Sequence, residues 1–339
     1  MNNEKLVIAG VEILRGKETK INFSIPKLYN TPIQLPIRVI SGKKSGPITF
    51  ISAAIHGDEL NGIEIIRRLR KLTILKRLKG TLILVPIVNI YGIITLSRYL
   101  PDRRDLNRYF PGSEKGSLAG RVAKIFFDEI VSKCDLGIDI HTGAIHRSNL
   151  PQIRTNIHDE YIFNLAKKFA APVIMHSELR DGSLRAISRD TGVPILLYEA
   201  GEALRFDERS IRIGVKGIIN VLRENGMLPK VNRPKKYKIP IVTKSSKWER
   251  ATQSGMIRTI KELGDTVEAN ETIAFIDDLF EDKVYEIKSS FNGVIIGKSE
   301  IPLVQEGDAV FHIARFNNLD MAENKIEYFN ENVIKKDEI

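Results

Sequence analysis

The chain has 339 residues, enough for one large domain and a smaller one, and its single cysteine, Cys134, excludes an internal disulfide and fits a reducing compartment. It carries 52 Lys and Arg against 42 Asp and Glu, a net charge of +10. No aromatic-interleaved basic stretch or helix-turn-helix pattern accompanies that excess, so nucleic acid is not the expected partner; a basic surface suits an anionic small molecule.

The first five residues lack the basic and apolar regions of a signal peptide. The longest apolar run, residues 81–96, is broken by Pro86, Asn89 and Gly92 and is too short and too polar to span a bilayer. The expectation is a soluble cytoplasmic protein with no membrane partner. Homo-oligomerisation is left open.

In chain order, residues 6–8 and 33–40 are β-prone pieces between Gly, Pro and Asn turns, read as edge strands. Residues 48–55 form a continuous apolar run, the mark of a buried strand. A helical pattern follows over about 61–72, with Ile63, Ile66 and Leu69 on one face. Residues 81–85 make the next strand, and the intervening helix predicts a parallel crossover. Residues 89–117 are irregular and rich in Arg, Asp, Pro and Gly, a length that in compact domains marks a functional or a disordered segment. A helix with Leu118, Val122, Ile125, Phe126 and Ile130 on one face leads to a third strand, 136–140. A helix over 164–171, strands over 172–176 and 194–198, and a helix over 211–222 complete the domain. Residues 224–240 read as a basic, proline-bearing linker. Beyond it the pattern turns to short strands and turns. The predicted organisation is α/β: a mixed, largely parallel central sheet flanked by helices over 1–230, a smaller C-terminal β domain of barrel or sandwich type over 231–320, and a charged tail over 321–339, with a frayed helix expected after Phe316.

Chemistry-bearing residues sit at the ends of these strands. The first apolar run stops at His56-Gly57-Asp58-Glu59, and a His-x-x-Glu turn can aim both side chains at one point. The third strand stops at His141, with Asp139 two residues earlier on the same side. Imidazole nitrogen and carboxylate oxygen are zinc donors, and a catalytic zinc takes three protein ligands plus an open position. His56, Glu59 and His141 are therefore the candidate ligands of one Zn2+ per chain, with Asp139 as acceptor behind an imidazole. Taken alone, Glu59 could instead favour the helix N-terminus, with Asp58 or Asn61 as its cap. Glu199, at the end of the 194–198 strand, is the candidate general base, with Glu202 as competitor. Asn107 and Arg108 offer an amide and a guanidinium for a substrate carboxylate. Arg98, Arg103 and Arg104 are candidates to polarise a carbonyl. His146, His158, His176 and His312 are read as structural.

His56-Gly57-Asp58-Glu59, Asp105-Leu106-Asn107-Arg108-Tyr109-Phe110, Asp139-Ile140-His141-Thr142-Gly143 and Glu199-Ala200-Gly201 together resemble the ordered motifs of the succinylglutamate desuccinylase/aspartoacylase family, relatives of the zinc carboxypeptidases. The resemblance implies a zinc carboxypeptidase-like fold. It also implies an amidohydrolase that removes an N-acyl group from an amino acid or similar small anionic substrate. Carried over, His56, Glu59 and His141 bind zinc, Glu199 activates water, Asn107 and Arg108 hold a carboxylate, Arg98 polarises the carbonyl, and Arg185 is a further carboxylate-binding arginine. Extra residues between Arg98 and Asp105 keep Arg103 and Arg104 open as alternatives to Arg98. The β domain resembles a biotinyl/lipoyl fold, with Asp282-Lys283-Val284 similar to a lipoylated hairpin, and is expected to be unmodified. Two other readings stand beside the deacylase: a zinc carboxypeptidase acting on peptides, and a non-enzymatic binding or carrier module.

Overall fold

The computed structural model describes residues 5–231 and 240–330. The first four residues, the part of the expected linker that holds Pro234, Lys235 and Lys236, and the end of the expected tail (331–339) lie outside them.

The chain opens with a small hairpin, β1 (Val7–Ile8) and β2 (Val11–Glu12), and a long one, β3 (Glu18–Leu28) and β4 (Thr31–Ser41). In β3 the buried residues Ile21, Phe23 and Ile25 alternate with exposed ones, as a half-buried edge strand requires. Next come β5 (Lys44–Ala53), α1 (Asn61–Arg70), β6 (Lys79–Val85), a short α2 (Ile90–Ile94) and α3 (Leu118–Glu129). They are followed by β7 (Leu136–Gly143), β8 (Arg147–Thr155), α4 (Glu160–Phe169), β9 (Val173–His176), α5 (Ile187–Thr191), β10 (Ile195–Glu202) and α6 (Glu208–Glu224).

Four strands run parallel at the centre in the order β6-β5-β7-β10, and β4 and β8 pair antiparallel at either side of them. The helical crossover predicts the parallel β5–β6 pair, and the register confirms it, with Phe50 opposite Ile83. Side chains alternate between two cores. On β6, Leu82 and Leu84 join the core under α1, α4 and α6, while Ile83 and Val85 join the core under α3. In α1 the buried stripe is Ile65, Ile66 and Leu69, with Ile63 only half-buried. Phe50 meets Phe126 of α3 edge-on at 6.0 Å, an arrangement that contributes about 0.5–1.5 kcal/mol beyond area burial.

β8 has no counterpart in the strands predicted above. Pro151 lies inside it, and proline inside a run argues against a central strand. The sheet accommodates it by a change of neighbour. β8 pairs with β10 on one side; on the other, residues 147–149 pair with the C-terminal domain and 152–155 with β9.

The C-terminal part contains β11 (Ile241–Thr243), β12 (Ser246–Arg250), β13 (Gly255–Thr259), β14 (Thr266–Val267), β15 (Thr272–Asp277), β16 (Val284–Lys288), β17 (Gly293–Ser299), β18 (Leu303–Val304), β19 (Ala309–Arg315) and α7 (Leu319–Phe329). β17 pairs with β8, Gly297 opposite Asn149, so among the described residues one 13-stranded sheet runs from the N-terminal strands into the C-terminal ones. A second sheet, β16-β15-β13-β18, covers a core of Ile257, Ile276, Ile287, Val310 and Phe311. The frayed helix expected after Phe316 is instead a docked one. In α7, Ala322 and Ile326 pack with Leu150, Val173 and Ile241, and Phe329 reaches the main core. Its apolar spacing secures it despite its charged outer face.

Candidate active site

The carboxyl ends of the central parallel strands meet at one edge, where open α/β sheets hold ligands. β5 ends at Ala53, and Ala54, at φ +51°, turns the chain toward His56. Gly57 is required there by space: a Cβ on it would lie 2.0 Å from the carbonyl carbon of Gly92. The Glu59 N–H donates to His56 O at 3.2 Å and closes the turn. Neither Asp58 nor Asn61 caps α1; the N-cap is Leu60, without a side-chain bond. Asn61 instead braces the end of β10. Its amide donates to Ala200 O at 3.1 Å, and its oxygen accepts from Asp207 N–H at 2.9 Å.

His56, Glu59 and His141 are all buried, and one donor atom from each lies within 4.8 Å of the others. His56 Nδ1 is 2.6 Å from Glu59 Oε1, and His141 Nδ1 is 2.9 Å from Glu59 Oε2. The far nitrogen of each ring has its own carboxylate: His56 Nε2 with Asp105 Oδ1 at 3.0 Å, His141 Nε2 with Asp139 Oδ2 at 2.7 Å. Asp139 is fixed in turn by Ser52 Oγ–H at 2.7 Å, from its register neighbour on β5. A carboxylate only accepts, so each ring donates from Nε2 and turns Nδ1 to the common point. This carboxylate–imidazole arrangement is how metal-ligating histidines are held. Burial lowers the pKa of both imidazoles, but Glu59 and Asp105 outweigh it at His56, and Asp139 and Glu59 at His141, leaving both above the ordinary value. Burial also opposes ionisation of Glu59, yet the two imidazoles hold it well below the carboxylate range. Two neutral nitrogens and a carboxylate, backed by carboxylates and converging in a buried site, fit a divalent cation.

Arg98 reaches this centre. Its guanidinium lies 3.2 Å from His56 Nδ1 and 3.4 Å from Glu59 Oε1, and donates to Asp105 Oδ2 at 2.9 Å. Arg104 is turned away to Asp102 and Tyr109, and Arg103 is exposed. Neither alternative is among the groups that converge on the three donors.

Glu199 is the register partner of His141 across the β10–β7 ladder. Asn149 Nδ2 donates to its Oε2 at 3.0 Å, and an Arg154 guanidinium nitrogen lies 2.9 Å from the same oxygen. Both partners come from β8, and neither was found in the sequence. Glu202, the competitor for the base, is buried, paired with Arg205 at 2.9 Å, and 4.0 Å from His146.

The carboxylate-binding candidates separate. Asn107 Oδ1 accepts from Leu184 N–H at 2.8 Å, so this side chain ties the 105–108 loop to the 183–186 turn. Arg108 is partly exposed, 3.9 Å from Asp105, with burial holding its pKa below the usual value. Arg185 is buried, donating to Ser177 O, Ser177 Oγ and Glu178 O. Burial first, then the nearby Arg154, pushes it down to about 10, with Glu199 opposing. Lys283 stands at the base of the β15–β16 loop, opposite Asp278, paired with Glu281. His312 stacks on Trp248 with centroids 4.8 Å apart; His158 and His176 pack edge to edge at 5.1 Å.

Fold and site together define an α/β protein with a buried His-Glu-His group that could hold a metal ion. The chain belongs to the succinylglutamate desuccinylase/aspartoacylase family, whose catalytic-domain profile matches residues 45–225, more than half its length. A curated relative, N-alpha-acetyl-L-2,4-diaminobutyric acid deacetylase of Halomonas elongata, is 26% identical over 295 residues, 83% of this chain and 86% of the relative. The product-bound ectoine utilization protein of Ruegeria pomeroyi shares the fold, with a TM-score of 0.78 at 23% identity, covering 88% of this chain and 95% of that one. A succinylglutamate desuccinylase/aspartoacylase structure from Rhodobacter sphaeroides gives 0.76 at 24% identity, with 88% and 96% covered. No helix among the described residues is long and apolar enough to cross a membrane.

Proposed function

We propose that this protein is a zinc-dependent amidohydrolase that removes an N-acyl group from an amino acid or similar small anionic substrate. One observation carries the reading: His56, Glu59 and His141 converge, each imidazole backed by a carboxylate, with Glu199 on the adjoining strand. His56, Glu59 and His141 would hold the ion, which when bound supplies Lewis acidity and brings water ionisation to about pH 7. Glu199 takes the proton of the attacking water and returns it to the departing amine. Arg98, placed beside the donors, polarises the acyl carbonyl and steadies the negative charge that develops on its oxygen. Arg108 and Arg185 bind the substrate carboxylate, and Asn107 fixes the loop that carries Arg108.

The family and the deacetylase relative support a small N-acylated substrate. A peptide-cleaving role has no comparable support. Strands of the C-terminal part extend the sheet beyond Asn149, which donates to Glu199. Cys134, buried and unpaired, suits action in the cytoplasm. The test is a panel of acetyl, succinyl and longer-acyl amino acids with zinc-loaded protein, read as amine release. Hydrolysis of at least one member, lost on chelation and restored by zinc, is expected. No turnover of any member, or turnover indifferent to chelation, contradicts the proposal.

A further inference from the structure

We infer that Asn149 and Arg154 are positioning residues for Glu199, holding its Oε2 so that Oε1 is the oxygen that takes the proton. The inference rests on the reading of Glu199 as general base. The carrying observation is that a hydrogen bond and an ion pair converge on one oxygen. Asn149 Nδ2 donates to Oε2 at 3.0 Å, and Arg154 lies 2.9 Å from it. Among the described residues no hydrogen bond reaches Oε1, whereas Oε2 accepts from Asn149. A carboxylate held by one oxygen keeps its other oxygen in a fixed place, and proton transfer depends on that placement before it depends on basicity.

The backbone around Glu199 is arranged to the same end. The β10–β7 ladder shifts register between Glu199 and Glu202, and the β10–β8 ladder between Glu199 and Gly201. The bulge turns on Gly201, at φ +74°, where a Cβ would fall 2.6 Å from Asn61 Nδ2. Bulges beside active sites re-aim a side chain, and Asn61 locks this one through Ala200 O. Asn149 and Arg154 lie on opposite sides of Pro151, where β8 exchanges the C-terminal domain for β9 as its neighbour. Asn149 is thus the residue at which the C-terminal domain joins, opposite Gly297. The appended domain thereby fixes the strand that aims the proton acceptor.

The experiment measures kcat and KM for R154M, R154K, N149L, E199Q and the E199Q/R154M double variant, with zinc content and thermal midpoint for each. Positioning predicts that R154M and N149L each lower kcat by about 10- to 100-fold with KM nearly unchanged and zinc retained. R154K recovers part of the loss, and R154M adds none on the E199Q background. Crystals of R154M should show the Glu199 carboxylate rotated, which keeps the test open if kinetics are masked by poor stability. A rise in KM at intact kcat would make Arg154 a substrate clamp and overturn the inference. So would an undiminished effect of R154M on the E199Q background. Wild-type kcat in E199Q marks a different failure, that of the general-base reading itself.

Discussion

His141 and Glu199 face each other as register partners on adjacent parallel strands, so a metal-donor candidate and a proton-acceptor candidate share one rung of the sheet. Glu59 comes from the turn after β5, which flanks β7 on the side away from β10, and closes the group through both imidazoles. Sheet register, rather than loop conformation, therefore sets the spacing between donor and acceptor.

Glu199→Gln keeps the shape and the Asn149 contact region but removes the basic oxygen. Its kcat should fall by about 10²–10⁴-fold. Zinc content, measured by atomic emission, should equal that of the wild type, since Glu199 is not among the three donors.

Asp139→Asn and Asp105→Asn each remove the carboxylate behind one imidazole. Each should weaken zinc affinity by about 10- to 100-fold in a competition titration against a chromophoric chelator. Unchanged affinity in both would show that the rings are held by something else.

Zinc binding should stabilise the fold. At a free concentration of one hundred times Kd the gain is about 2.7 kcal/mol, read as a rise in thermal midpoint that chelation reverses. Glu59→Gln should abolish that rise, because it removes the donor shared by both imidazoles.

Acid should destabilise the C-terminal half through His312. Burial, and secondarily Arg154, push its pKa down to about 3 in the fold, whereas the unfolded chain titrates near 6.5. Between these values the unfolded state binds more protons, so stability is full above about pH 6.5 and declines as pH falls toward 3. The loss at pH 5 should be about 2 kcal/mol. His312→Gln should flatten this part of the stability curve, measured by urea unfolding of zinc-free protein.

Gly57→Ala puts a methyl group 2.0 Å from the Gly92 backbone. Overpacking of this kind costs about 1–3 kcal/mol. Because Gly57 separates His56 from Glu59, the variant should lose zinc affinity as well as stability, which urea unfolding and metal titration would read separately.

The parallel sheet and the convergence of His56, Glu59 and His141 were legible because their signals are local. Apolar runs of strand length end in His56, His141 and Glu199, and each ending is visible within a few residues. β3 was missed because its buried Ile21, Phe23 and Ile25 are interleaved with polar residues in a weak pattern. β8 was missed because Pro151, Ser148, Asn149, Gln152 and Arg154 make it read as a loop, and with it went both partners of Glu199. Asp105 stood inside a recognised motif, but its contact with His56 closes 49 residues of chain, which no periodicity reveals. The joining of the C-terminal strands to β8 is likewise a matter of long-range pairing.

The most direct measurement is anomalous diffraction at the zinc edge from crystals of zinc-loaded protein. The account predicts one strong peak about 2.0–2.2 Å from His56 Nδ1, a Glu59 carboxylate oxygen and His141 Nδ1. A peak elsewhere, or none at that point in protein shown to contain zinc, would contradict it.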